Sequence, residues 1–357
     1  MTRSRLPFAV ALIAASALVL ASAAAPSRFA RHHGLQAARH ELVVVPYDSR
    51  LGSANADTGF DFIFPATQPA PAKVLVYVPF GYGLDLAIPA GTTIGTAEAV
   101  SSAGPTALSG SIVVDSAARY ATDPAAVACA GATPHAAVWV LQLAGAASAP
   151  VVVFLDPTAG VETGYGLFKL QACLGSPDAG APRITELFVE LTRGLTNPAS
   201  AGECVWRAFV TPFAAGSVAN EAETVEVRSL APLPEGVILR AKVNAKKRTV
   251  TVSGILILGG LPQSDLIVSI YSSAKANLTG LKRVAAVKTK TNGVFSVTKK
   301  IAKTTYFWAV VEGYYSDTCV SGPSTAPLGC VRETLAPAFA NRATATVPKK
   351  KPAPKKK

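Results

Sequence analysis

Thr249-Val250-Thr251-Val252-Ser253-Gly254 is the stretch that decides how this chain is to be read. Apolar and hydroxyl residues alternate in it. On an extended backbone Val250 and Val252 therefore point to one side, and Thr249, Thr251 and Ser253 to the other. A period of two, with β-branched residues at the apolar positions, is the pattern of a strand with one face in a core and one in water. The same grammar continues on both sides, with candidate strands at residues 237–243, 249–258, 266–271, 281–290, 293–298, 306–311 and 342–347. Asn292-Gly293 falls between two of them and is a strong short-range hairpin signal, because both residues tolerate positive φ.

Upstream, short β-branched runs recur at residues 73–78, 137–143, 150–155, 183–191, 205–210 and 224–228, separated by Gly, Pro, Asn and Asp clusters. Thr224–Arg228 alternates cleanly, as an antiparallel strand with one wet face does. No long run combines helical periodicity with helix caps, and the Ala-rich residues 117–130 read as a short helix or a loop. The class is all-β: two antiparallel β-sandwich domains. The proline-containing stretch 230–234 divides residues 42–234 from residues 235–347.

Thr249–Gly254, then Val268-Ser269-Ile270-Tyr271, then Lys290-Thr291-Asn292-Gly293-Val294-Phe295-Ser296-Val297 resembles bacterial immunoglobulin-like and carboxypeptidase-regulatory-like sandwich modules. In those a strand ending in Ser-Gly opens the domain, and a Gly-x-Phe hairpin sits in its middle. About seven strands in roughly 110 residues also suits an immunoglobulin-like sandwich. The resemblance covers about a third of the chain. It implies a non-catalytic appendage of a secreted or surface protein. The upstream domain, with Tyr77–Gly83 and Trp206–Pro212, is similar to secreted bacterial proteins of uncharacterised role.

Residues 1–25 read as an export signal, with Arg3 and Arg5, an apolar run from Leu6 to Leu20, and small-residue cleavage sites at Ala21–Ala25. The alternative is an uncleaved anchor. No second long apolar run follows, so no transmembrane segment is expected after cleavage. The setting is secreted or cell surface, where cysteines pair by default. Residues 26–41, with His32, His33 and His40, read as a basic flexible lead-in, and residues 348–357 as a disordered Lys/Pro-rich tail.

The five cysteines stand at 129, 173, 204, 319 and 330. Cys319 with Cys330 and Cys129 with Cys173 are the expected pairs, leaving Cys204 on the strand parity of Trp206 and Ala208 as a buried thiol. A Cys173–Cys204 pairing stays open. No spacing matches a zinc or redox motif.

Neither a catalytic nor a cofactor- or metal-binding set stands out. His135 is the only histidine beyond residue 40, and no G-x-S-x-G, H-E-x-x-H or P-loop is present. Carboxylate chemistry needs only two groups at the right distance, for which Asp57, Asp61, Asp85, Glu186 and Glu190 are candidates. Glu186 and Glu190 share strand parity.

Charge is divided between the halves. Residues 42–234 hold 8 Lys+Arg against 16 Asp+Glu, residues 235–347 hold 15 against 5, and the whole chain carries +12. The tail adds Lys349, Lys350, Lys351, Lys355, Lys356 and Lys357 on a proline-broken, extended segment suited to holding a polyanion. Its partners would be an anionic cell-envelope polymer or lipid head groups, extracellular DNA, or the acidic domain itself; a plain solubility tail is the alternative. Nucleic acid is disfavoured as the main partner, since no aromatic-lined basic groove accompanies the charge. The reading is an exported, non-catalytic binding or structural protein, with a secreted carboxylate-dependent hydrolase as the alternative.

Overall fold

The structure is a computed structural model that describes residues 39–102, 104–132, 134–144, 150–215, 217–276, 279–321, 327–335, 338–339 and 342–347. The export signal, most of the lead-in and the lysine tail lie outside these residues.

Alternating apolar runs form the strands β1 (Glu41–Pro46), β2 (Thr58–Ile63), β3 (Pro71–Val78), β4 (Gly83–Leu84), β5 (Thr93–Ser101) and β6 (Gly104–Asp115). A short helix, α1 (Pro124–Ala130), follows, and then β7 (Ala137–Leu143), β8 (Val151–Pro157), β9 (Phe168–Cys173), β10 (Ile184–Leu191), β11 (Leu195–Thr196), β12 (Val205–Pro212) and β13 (Val225–Leu230). The second part holds β14 (Glu235–Asn244), β15 (Thr249–Leu258), β16 (Leu261–Pro262), β17 (Ile267–Ser273), β18 (Lys282–Lys288), β19 (Val294–Lys300) and β20 (Thr305–Val311). It closes with β21 (Tyr314–Ser321), β22 (Pro327–Leu335), β23 (Ala338–Phe339) and β24 (Ala343–Ala345).

The protein is all-β, but its sheets are not those of two antiparallel sandwiches. One continuous 13-stranded sheet runs β1-β2-β10-β5-β6-β7-β8-β9-β3-β12-β13-β22-β21. It curls back on itself until β1 meets β13 and β22. There the Val44 N–H donates to Ser229 Oγ at 2.8 Å, and the Thr334 hydroxyl donates to the Leu42 carbonyl. The near-barrel interior is filled by alternate residues of its strands, including Leu42, Val44, Phe60, Phe62, Ile112, Trp139, Leu141 and Trp206. A sheet this wide and twisted buries its apolar face by rolling up, so it needs no second sheet.

The second part packs two smaller sheets over one shared core: β14-β15-β16 with β19, and β18-β17-β20-β23 with β24. Val250, Val252, Leu256 and Phe295 meet Val268, Ile270, Phe307 and Ala309 between them.

Two local expectations change. Residues between β20 and β24, where no candidate strand falls, hold the β21–β22 hairpin, which joins the large sheet. β22 lies parallel to β13, with Val227 opposite Arg332 and Leu230 opposite Leu335, so the pairing is not antiparallel throughout. Asn292-Gly293 does form a tight turn, with Gly293 at φ 71° and the Lys290 N–H donating to Val294 O at 3.0 Å. The strands that it joins belong to different sheets: β18 pairs with β17, and β19 with β15. The turn is a crossover between layers and not a hairpin.

The Ala-rich stretch becomes α1. Asp123 caps it by accepting the Ala126 N–H at 2.9 Å, Pro124 opens the first turn, and Gly131 at φ 94° ends it. The helix covers the outer side of β7 and β8, burying Val138, Val140 and Phe154 beneath Ala126.

Candidate functional site

Cys129, at the end of α1, and Cys173, at the end of β9, form a disulfide across a sequence separation of 44. It ties the helix to the sheet, and Gln171 adds a side-chain hydrogen bond to the Cys129 carbonyl at 2.6 Å. Cys204 is a buried free thiol, as its parity with Trp206 predicts, and burial pushes its pKa up to about 11. This bond also answers the open alternative, since Cys173 is taken. Cys319 and Cys330 stand opposite each other in the β21–β22 ladder; their side chains lie outside the described residues. So do Lys349, Lys350, Lys351, Lys355, Lys356 and Lys357.

Three of the candidate carboxylates, Asp61, Glu186 and Glu190, fall on the outer face of the large sheet. Leu187 and Leu191 of β10 point into the core, which sends Glu186, Phe188 and Glu190 outward. Asp61 of β2 is the register partner of Phe188 and shares that face. Glu186 and Glu190 are four extended residues apart, roughly 13 Å along the strand, against about 5–10 Å between the carboxyls of a glycosidase. Asp57 precedes β2. Asp85 is occupied in a turn, where its Oδ1 accepts the Ala87 N–H at 3.0 Å. A cavity of about 60 Å³ lies on the opposite side of the sheet, among Phe60, Phe62, Trp139 and Leu141, and its lining is apolar throughout.

His135 is buried ahead of β7 with its Nδ1 2.8 Å from Asp156 Oδ2, while the other Asp156 oxygen accepts the Ala136 N–H at 3.1 Å. Its ring lies 4.3 Å from that of Phe154. Asp156 orients the imidazole as the acid of a triad would, but among the described residues no hydroxyl or thiol is bonded to the ring. His40 is also buried, edge-on to Phe64 at 5.9 Å, so this residue of the expected lead-in belongs to the folded part. Burial first, and then the Arg183 charge, lower its pKa to about 4.

Among the described residues no cluster of three or more His, Cys, Asp or Glu could hold a metal, and no helix is long and apolar enough to cross a membrane.

Two charged arrangements escape a strand-by-strand reading. The first is Arg332 on β22. Its guanidinium is 7% exposed and pairs with Asp317 on β21 and Glu41 on β1, each at 2.8 Å. The second is a set of outward cations on the sheet of β14, β15 and β19. Arg240, Lys242 and Lys300 are exposed and face away from the core, because Val237, Leu239, Val250, Val252 and Phe295 take the inward positions. The alternation Arg240-x-Lys242 was the available signal for this set. Which strands carry its neighbours was not written there.

No family model matches the chain, and no curated protein matches it. Among solved structures, it is similar to the D0–D1 domain of intimin, at 11% identity over 84% of this chain and 98% of that one, with a TM-score of 0.19. It is similar to domains D2 and D3 of the major pilin SpaD from Corynebacterium diphtheriae, at 10% identity over 76% of this chain and 81% of that one, with a TM-score of 0.25. BcpA, the major pilin subunit of Bacillus cereus, is 9% identical over 86% of this chain and 70% of that one, with a TM-score of 0.23. The fold assignment rests on the strand pairings given above.

Proposed function

We propose that this is an exported, non-catalytic binding or structural protein of the extracellular space or cell envelope, held electrostatically at an anionic surface by residues 235–347 and the lysine tail. The observation that carries this reading is the placement of charge in the second part. Arg240, Lys242 and Lys300 stand outward on the β14–β15–β19 sheet, while three of the five carboxylates of residues 235–347 are engaged elsewhere. Asp265 pairs with Lys288 at 2.9 Å, Glu312 accepts the Ser269 hydroxyl at 2.8 Å, and Asp317 pairs with Arg332. A surface of uncompensated like charge gains by meeting a polyanion, with a strength that salt screens. The sharing of one core between two small sheets supports the immunoglobulin-like reading of this part, and the facing of Cys319 and Cys330 supports their pairing as a second disulfide.

Co-sedimentation of the protein with purified cell envelopes across a salt series, with and without residues 349–357, tests the reading. Binding that weakens with salt is the expected result. An absence of binding at low salt overturns electrostatic retention.

A further inference from the structure

The register of β14, β15 and β19 assembles a polar platform on the outer face toward the β14–β15 turn, beyond exposed Ile238. Arg240 lies opposite Ser253, and Lys242 lies opposite Thr251, which in turn lies opposite Thr298. Lys300 stands one step further along, opposite Thr249. Directly opposed residues share a face, so these side chains form adjacent rows on the side that the core does not use. Arg240 and Lys242 are roughly 7 Å apart along their strand, and Lys300 stands two strand spacings, roughly 10 Å, to the side. The turn that joins β14 to β15 adds exposed Lys246 and Lys247 at the same end.

Among the described residues nothing on this face neutralises the charge. Glu235 and Asp265 are the only carboxylates between residues 235 and 311. Glu235 has the inward parity of Val237 and lies opposite buried Leu258, and Asp265 is paired with Lys288. None of Arg240, Lys242 and Lys300 is held in an ion pair among the described residues. Like charges on one sheet face weaken it slightly, so the arrangement asks for an external counter-charge. Between the cations the face offers hydroxyls, with Thr251 Oγ1 and Thr298 Oγ1 3.0 Å apart. Hydroxyls both donate and accept, which suits a partner that is itself polyhydroxylated. No aromatic ring stands on this face for a base to stack on.

We infer that the outer face of β14, β15 and β19 is a docking platform for a linear acidic polysaccharide, with Arg240, Lys242 and Lys300 meeting its carboxylates or sulfates and Thr251, Thr298 and Ser253 meeting its hydroxyls. This rests on the proposed electrostatic retention and places the contact on the folded sheet, distinct from the lysine tail.

Binding of the full chain to polygalacturonate, neutral dextran, single-stranded DNA and phosphatidylglycerol vesicles tests it. The expected result is saturable, salt-sensitive binding to polygalacturonate and none to dextran. R240S/K242S/K300S should weaken that binding roughly tenfold at low salt, as the loss of three exposed charges predicts. T251V/T298V, with its charge unchanged, should weaken it about threefold or more through lost hydrogen bonds. All substituted positions are outward, and an unchanged melting temperature verifies folding. Full binding by the triple variant, with loss only on deletion of residues 349–357, overturns the platform and leaves electrostatic retention standing. Stronger binding to DNA or vesicles than to polygalacturonate overturns the carbohydrate assignment. A lack of binding to every anionic probe overturns both readings.

Discussion

Phe295 occupies the space that a side chain on Gly254 would need. A Cβ on Gly254 would stand 2.5 Å from Cζ of Phe295 and closer still to the Ile238 carbonyl oxygen. The two residues are register partners on β15 and β19, and the Phe295 ring is 1% exposed. The Ser-Gly pair within β15 and the Gly-x-Phe turn are thus two halves of one packing device. Gly293 serves it too, since its positive φ brings β19 in over β15, and a Cβ there would crowd the Leu256 carbonyl at 2.7 Å. Gly254→Ala should destabilise the protein by about 1–3 kcal/mol through overpacking, and Phe295→Ala by about 3–5 kcal/mol through the cavity. Because the two side chains compete for one space, the double variant should cost less than the sum of the single variants. Urea unfolding of the three variants checks this.

Arg332 holds the β21–β22 hairpin to the first strand of the large sheet through Glu41 and Asp317. Arg332→Met removes the shared partner and leaves two carboxylates facing each other in partly buried surroundings, a loss of about 3 kcal/mol. The variant should also show faster amide hydrogen exchange in residues 327–335, whose backbone pairing with β13 it loosens. Unchanged exchange there would mean that the parallel ladder and Thr334 suffice to hold the hairpin.

The cysteines should sort into two bonded pairs and one thiol. Peptide mapping under non-reducing conditions is expected to recover Cys129–Cys173 and Cys319–Cys330, with Cys204 alkylated only after denaturation. Reduction of the 44-residue Cys129–Cys173 link should lower stability by about 4 kcal/mol on the chain-entropy model. An alkylated Cys319 in the native, unreduced protein would show that the second pair does not form.

Acid should weaken the fold through His40 before it does so through the carboxylates. The fold holds His40 neutral, with its pKa lowered to about 4 by burial and by Arg183. The unfolded chain therefore takes up that proton first, near pH 6.5. The stability that this group contributes should be lost as pH drops from about 6.5 to about 4, with no further loss below that. Glu235, whose burial raises its pKa to about 8, works in the opposite direction between about pH 8 and about pH 4.5. Asp317 acts in a lower window. Arg332 holds its carboxyl below the usual range, so its contribution is present above about pH 4 and is lost as pH falls through its folded value. His40→Phe should remove the His40 loss from the upper part of the profile and leave the lower part, as read from midpoints of urea unfolding between pH 7 and pH 3.

The sequence by itself determined which backbone is extended and which side chains face inward. Val250 and Val252, Cys204 beside Trp206, and Glu186 with Glu190 each lie on the face their parity assigns, because the period of two is a property of the single strand. The Ala-rich residues 117–130 left a short helix or a loop open along the chain, and the structure holds the helix α1, capped by Asp123 and ended at Gly131. The tertiary structure alone decided which strands meet. The curl of the large sheet, the parallel seating of β22 on β13, the layer change at Asn292-Gly293 and the gathering of Arg240, Lys242 and Lys300 all depend on pairings between residues far apart in the chain. Those pairings are selected by how the sheets can bury their apolar faces together, and no window along the chain contains that choice.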